Sequence, residues 1–292
     1  MHPAPSVILF TSLSGLGFGW LFWLGIWPAP PTGLWAFVVF ALAYGLAVGG
    51  LLFSTFHLGH PERALKAFTQ WRSSWLSREA WAAVATLVVM GLYAAGLVFF
   101  GTHLAPLGWL GAVLALGTVV TTAMIYTQLR TVPRWHHWTT PALFLGYALA
   151  GGAILCAPGW LAALLLAMVA TLQVLAWVQG DGAFAGSGTT LATATGLGDR
   201  GRVRSFEPPH TGTNYLLDEM VYRVGRRRAA QLRGLALVLG AGVPILLLVL
   251  FPGPLWVRGL AATAHLAGVI CQRWLFFAQA EHVVGLYYGR RG

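Results

Sequence analysis

The sequence has little charge and little sulfur for its length. Charged residues make up 9% of the 292 residues, whereas hydrophobic residues make up 57%. A soluble protein carries about a quarter charged residues, so this much apolar surface requires a solvent other than water. The two cysteines, Cys156 and Cys271, both fall in apolar runs. Two thiols are too few for a disulfide framework or an iron–sulfur cluster.

The net charge of +10 does not indicate a nucleic-acid partner. Only Lys66 is a lysine, and the other cations are arginines confined mainly to short stretches between apolar runs. Cations in such positions set the topology of a membrane protein. We therefore predict contact with membrane lipid and no nucleic acid.

Long apolar runs predict an all-α, polytopic membrane bundle in a single domain, 1–292. Crossing the apolar core of a bilayer, about 30 Å thick, takes roughly twenty helical residues. The runs are apolar all round, whereas barrel strands alternate polar and apolar positions. The first run lacks a basic segment before it and is longer than a signal core, so it reads as the first crossing. The eight predicted segments are 7–27, 33–56, 79–101, 107–127, 139–157, 159–179, 234–251 and 255–277.

Charged residues are concentrated on one side of this predicted bundle. All basic residues except Arg258, and all eight acidic residues, fall on the side of the even-numbered connections and the termini. The positive-inside rule therefore predicts an inner-membrane protein with both termini and the charged loops in the cytoplasm. The longest connection, 180–233, begins with an irregular Gly- and Thr-rich half. Its second half, 214–233, predicts a basic helix that lies on anionic lipid or docks a partner.

The most unusual stretch follows the second segment and begins at His57. Gly59 and Pro61 can end the helix there, which places His57 in its last turn. A neutral imidazole at this depth can hydrogen-bond a carbonyl oxygen and take up a proton near neutral pH. The alternative is a histidine favoured at a helix end by the macrodipole.

Glu79 begins the third segment, after a plausible N-cap at Ser77. A carboxyl group at the membrane boundary could exchange protons with a redox ligand. The alternative is an acid favoured by the helix dipole in the first turn. Because His57 and Glu79 lie at the two ends of one loop, they could face one pocket.

Three further polar groups, Tyr126, Gln128 and Arg130, lie near the end of the fourth segment. They could complete a pocket at the same membrane level or simply anchor the helix at the interface. His265 lies mid-membrane, where an ionisable residue is a functional candidate. It has no histidine partner at its depth, so we predict no haem. His136 and His137 are interpreted as interfacial rather than as metal ligands.

These residues resemble the DmsC-like membrane anchor of the dimethyl sulfoxide reductase family. The matching stretches are HLGxPxRA at 57–64, LSxE at 76–79 and TVPxW at 131–135. The resemblance implies partner subunits that hold molybdopterin and iron–sulfur clusters, and electron exchange with ubiquinone or menaquinone. It implies a quinone site at His57 and Glu79, with Arg63 and Arg78 as further candidates.

The stretch FEPPHTGTNY at 206–215 resembles the branch associated with cytoplasmic sulfite dehydrogenases. We therefore expect an anchor that passes electrons from sulfite oxidation to quinone without carrying out the molybdenum chemistry itself. A quinol-oxidising anchor of a dimethyl sulfoxide or polysulfide reductase is the alternative. A transporter is disfavoured, because no segment is plainly broken at the midplane. A purely structural anchor remains open.

Overall fold

A computed structural model describes residues 1–56, 60–207, 212, 220 and 228–288. Within these residues, eight helices are long and apolar enough to cross a membrane, and no strand is present. The predicted all-α membrane bundle is thereby confirmed. The eight long helices, in chain order, are α1 Pro5–Ile26, α2 Gly33–Thr55, α3 Trp75–Phe99, α4 Ala105–Thr127, α5 Thr139–Cys156, α6 Gly159–Gly186, α7 Ala229–Leu250 and α8 Leu255–Ala278.

Three helix boundaries differ from those predicted by a helical turn or more. Helix α3 begins at Trp75, one turn before the predicted start at 79. Helix α6 continues to Gly186 instead of ending at 179, and α7 begins at Ala229 instead of 234. The sixth connection is therefore 187–228 rather than 180–233. Most of the surface helix predicted over 214–233 lies outside the described residues.

Helix α1 is the central element of the bundle and packs against α2, α4, α5 and α8. Small residues allow this close approach. A Cβ atom on Gly19 would overlap the backbone of Ala148, and one on Gly152 would overlap the backbone of Gly19. In lipid, helices associate through such small-residue contacts because burial of apolar surface gives little driving force there.

Helix α7 contains a π-helical turn at Val238–Gly242 but remains continuous. Gly240, inside this turn, lies so close to Gly268 of α8 that a Cβ atom on Gly268 would overlap its backbone. The Nδ1 atom of buried His265 lies 2.6 Å from the carbonyl oxygen of Gly240. Since a carbonyl can only accept, this nitrogen carries the hydrogen. His265 therefore fastens α8 to the widened turn of α7.

The bundle has two chemically different ends. The charged end holds the chain start, the even-numbered connections and residues 279–288, and the opposite end holds the odd-numbered connections. At the charged end, the ammonium group of Met1 donates to the Ala280 carbonyl (2.7 Å), and the Val283 amide donates to the Thr131 carbonyl (3.0 Å). These bonds tie both ends of the described chain to the bundle.

Candidate functional site

Glu79 is buried between α3 and α4 near the charged end. Its side chain is 4% exposed, and the hydroxyl of Thr122 donates to its Oε1 over 2.5 Å. The predicted N-cap at Ser77 is wrong, because the helix begins at Trp75 with Ser74 in the cap position, in an extended conformation. Glu79 thus lies beyond the first turn, so the dipole of a helix start does not explain its position. A buried carboxyl group inside a membrane bundle is a functional candidate.

The contact between Glu79 and Thr122 continues a polar seam along the α3–α4 interface. The buried hydroxyls of Thr86, two turns from Glu79 on α3, and Thr118, one turn from Thr122 on α4, lie 2.9 Å apart. Hydroxyl pairs of this kind hydrogen-bond neighbouring helices in lipid. The seam therefore fixes the register of the two helices and holds the carboxyl group in one place.

Tyr126, one turn beyond Thr122, is buried within a cluster of aromatic rings. Electrostatic interactions reach its phenol group from both Glu79 and Arg273 of α8. The ring thus interacts electrostatically with the one buried acid and the one buried arginine among the described residues. The surrounding rings, with centroids between 5.3 and 5.7 Å away, are Trp135, Phe144, Phe276 and Phe277.

Arg273 is the largest fully buried side chain, only 2% exposed. Its guanidinium carbon lies 3.6 Å from the centre of the Phe144 ring. Neither Nε nor Nη1 has a hydrogen-bond partner among the described residues. Arginine keeps its proton in proteins, so this is a fixed positive charge inside the bundle.

By sequence, Arg273 counts with the cations of the charged end, and its burial is not predicted. One feature of the sequence indicates this burial. Arg273 follows His265 by eight residues, and this spacing places both on one helical face together with Gly268. Helix α8 buries that face. An arginine aligned with a mid-membrane histidine and a glycine contact was therefore a candidate for the interior.

Arg78 points away from Glu79 and Tyr126 and stabilises the second connection. Its Nε donates to the carbonyl of Trp71 (3.0 Å), its Nη2 donates to the carbonyl of Arg72 (2.7 Å), and it lies over the Trp75 ring. Arg78, Trp71 and Trp81 line an open groove of about 420 Å³ at the charged end. Although they are neighbours in sequence, Arg78 faces the surface groove and Glu79 faces the interior.

No other predicted quinone-site residue is described beside Glu79 or Tyr126. Arg63 is exposed, with its Nε 3.9 Å from Glu62, and Arg130 is exposed at the end of α4. His57 lies outside the described residues. Its nearest described neighbours in the chain, Phe56 and His60, lie at the charged end.

A second charged cluster joins α6, the fourth connection and α7. Arg134 donates to Asp181 over 2.6 Å, and Arg233 donates to both oxygens of the same carboxylate over 2.8 and 2.6 Å. Burial lowers the pKa of Arg134, and the hydrogen bond with Asp181 opposes this effect. Asp181 lies in the part of α6 beyond its predicted end, so this cluster accounts for the longer helix.

Comparison with known proteins identifies the family. The family model described as "DMSO reductase anchor subunit (DmsC)" matches residues 7–289. The chain belongs to the DmsC family. It is also 31% identical over 333 residues to a sulfite dehydrogenase subunit of Allochromatium vinosum, covering 99% of each chain. It is thus a membrane anchor subunit of the dimethyl sulfoxide reductase type.

In this DmsC-family chain, the TVPxW stretch builds the packing around Tyr126. Trp135 is buried, its Nε1 donates to the Phe276 carbonyl over 2.9 Å, and its ring stacks on Phe276. It is therefore not a membrane-interface anchor, although its sequence position suggests one. Among the described residues, no group of three or more His, Cys, Asp or Glu side chains could hold a metal ion.

Proposed function

We propose that this DmsC-family chain is the quinone-reactive subunit of a sulfite dehydrogenase. In this proposal it passes electrons from an iron–sulfur subunit, itself served by a molybdopterin subunit, to ubiquinone or menaquinone. The observation that carries the proposal is the buried Glu79 carboxyl group, which Thr122 holds at the charged end. The name of the Allochromatium vinosum relative supports sulfite as the donor.

A quinone takes up two electrons and two protons when it is reduced, so its site needs a route for protons. Glu79 has the chemistry for proton exchange, because a carboxyl group can gain or lose a proton while Thr122 keeps it in place. Tyr126 interacts electrostatically with Glu79. Its phenol group can donate or accept a hydrogen bond. We assign Glu79 to proton exchange and Tyr126 to its support.

The groove between Trp71 and Trp81 is suited to the ring of a quinone. Its volume of about 420 Å³ is within the range of small-molecule sites, and indole rings can stack on a planar ligand. The hydrogen bonds of Arg78 to Trp71 and Arg72 hold one wall of this groove. We therefore propose Arg78 as a positioning residue and His57 as the hydrogen-bond donor to a quinone oxygen.

Arg63 and Arg130 are exposed cations at the same end. In the proposed complex they are close enough to the interface to be covered by lipid or by the iron–sulfur subunit. The positive-inside rule orients the charged end to the cytoplasm, so the partner subunits bind from there. A membrane-impermeant amine or thiol label applied to intact cells tests this orientation.

The test is sulfite-dependent quinone reduction by the purified complex. We expect Glu79→Gln, which keeps the size and accepts the Thr122 hydrogen bond, to lower turnover by about 10² to 10⁴-fold, the range for loss of a proton-transfer group. The matched control is Glu62→Gln, because Glu62 is an exposed acid at the same end. Unchanged turnover in Glu79→Gln, with the complex assembled, would refute the role of this carboxyl group.

His57 is tested in the same assay with His60→Gln as its control, since the exposed His60 pairs only with Glu62 at 2.9 Å among described residues. Loss of quinone reduction in His57→Gln, with clusters still reducible by sulfite, supports the site. Normal turnover in both variants would leave a purely structural anchor. A parent complex that oxidises quinol and ignores sulfite would favour the reductase alternative, which the family description includes.

A further inference from the structure

A tryptophan-lined cavity at the opposite end of the bundle is separate from the proposed quinone site. It has a volume of about 430 Å³ and lies between α1, α2, α5 and α8. A second space of about 500 Å³ adjoins it, and the two share Trp27, Cys156 and Arg258 in their walls. Trp20 and Trp35 complete the aromatic wall of the first cavity. Its apolar floor continues toward the lipid along Leu42.

Arg258 supplies a fixed positive charge to both spaces. It is half-buried, and its Nη1 donates to the carbonyls of Ile154 (2.8 Å) and Ala157 (2.9 Å) at the end of α5. These bonds use one nitrogen and leave the charge without an anion. By sequence, all eight acidic residues lie toward the charged end, so no side chain at the opposite end can neutralise it.

Trp20 brings a buried indole N–H group to the cavity wall. Its indole Nε1 is buried and forms no hydrogen bond of ordinary geometry among the described residues. The group beside it is the thiol of Cys156, which is only a weak acceptor. A ligand that carries negatively charged oxygens would neutralise Arg258, which the indole and thiol groups in the cavity wall cannot do.

We propose that this cavity binds an anionic phospholipid from the leaflet at the opposite end. The phosphate group would lie against Arg258 beside the Trp27 ring, and the first part of an acyl chain would follow Leu42 toward the bilayer. Tryptophan rings at this depth suit the boundary between headgroup and hydrocarbon. A neutral quinone would leave the arginine charge uncompensated, which favours the lipid. This proposal does not depend on the quinone site.

The first test measures lipid retained by the detergent-purified, full-length chain by native mass spectrometry. The probes are phosphatidylglycerol, phosphatidylcholine and ubiquinone, each added alone. We expect phosphatidylglycerol to bind and Arg258→Gln to weaken it about fivefold, which corresponds to about 1 kcal/mol per basic residue near a lipid surface. Arg202→Gln, at an exposed cation of the sixth connection, should have no effect. Leu42→Trp, which narrows the cavity and keeps Arg258, should also weaken binding.

A second measurement avoids variants, because Arg258→Gln also removes the hydrogen bonds that cap α5. Cys156 lies in the cavity wall, whereas Cys271 lies near the charged end, and both are free thiols. Phosphatidylglycerol should slow maleimide labelling of Cys156 relative to Cys271, and phosphatidylcholine should not. Equal binding of both lipids, or retention unchanged in Arg258→Gln and Leu42→Trp, would overturn the proposal. Binding of ubiquinone in place of phosphatidylglycerol would reassign the cavity to quinone.

Discussion

Replacing Arg273 by methionine separates function from stability at the buried guanidinium. The nearest favourable contact in the structure is with the Phe144 ring, 3.6 Å away. A desolvated cation–π contact contributes about 2 kcal/mol. Removal of an ion from water costs several kcal/mol even after the protein relaxes. The cost exceeds the gain, because Nε and Nη1 form no hydrogen bonds among the described residues.

We therefore expect Arg273→Met to raise the free energy of unfolding by about 1–4 kcal/mol, the range seen when buried ion pairs are replaced by apolar residues of similar volume. The assay is unfolding of the full-length chain by sodium dodecyl sulfate in mixed micelles, followed by circular dichroism. Arg130→Met is the control, and because Arg130 is exposed its change should stay within about 0.5 kcal/mol. In the assembled complex, Arg273→Met should also slow quinone reduction, because it removes a charge that acts on Tyr126, the proposed support of Glu79.

The opposite result would refute this reasoning. A loss of stability in Arg273→Met beyond that of Arg130→Met would mean that the guanidinium is compensated by a water molecule, an anion or a partner protein. Its burial would then be a structural device, and unchanged quinone turnover would agree with that interpretation.

Three other predictions concern helix packing and pH. Thr122→Val removes the hydrogen bond to Glu79 at nearly constant volume, and should lower the free energy of unfolding by about 1–3 kcal/mol in the same micelle assay. Gly268→Ala, whose Cβ would overlap the backbone of α7, should cost about 1–3 kcal/mol, whereas Gly259→Ala, which faces open space, should cost much less. Burial, helped by the N-terminal ammonium group, lowers the pKa of His282, so the folded chain binds this proton less readily than the unfolded chain. Stability should then be full above pH of about 6.5 and fall below it, and thermal melting of His282→Asn should depend less on pH in that range.

Contrary outcomes for these predictions are equally specific. A neutral Thr122→Val would mean that Glu79 has another buried donor. Equal effects of the two glycine substitutions would mean that the α7–α8 contact is looser than described. A His282→Asn variant that keeps the full acid sensitivity of the parent would assign that sensitivity to other groups.

The number and order of the helices were predictable because one property decides them. A run of about twenty apolar residues cannot lie in water and is long enough to cross a bilayer as a helix. The ends were less predictable where tertiary contacts decide them. The Gly-rich residues after 179 favour a loop by composition, yet the ion pairs of Asp181 with Arg134 and Arg233 extend α6 through them.

The pairing of side chains inside the bundle could not be predicted from one sequence. Glu79 meets Thr122 only when α3 and α4 pack in one particular register, and neither residue carries a signal of its partner. Arg273 lies close enough to the end of α8 to resemble a topology-setting cation, and its burial follows from its helical face rather than from its depth. When a helix is apolar on all sides, its sequence pattern does not show which face packs against the other helices.

The clamp between Asp181 and Arg233 has a consequence for how this anchor can vary. These residues are 52 positions apart in sequence, yet they are held within hydrogen-bond distance. With both ends of the sixth connection pinned, doubling its length costs only about 0.6 kcal/mol of loop-closure entropy. Length and composition can therefore change there while the bundle stays the same. This connection is a natural place for related anchors to diverge, and a practical one for inserting an affinity tag or a cross-linking group.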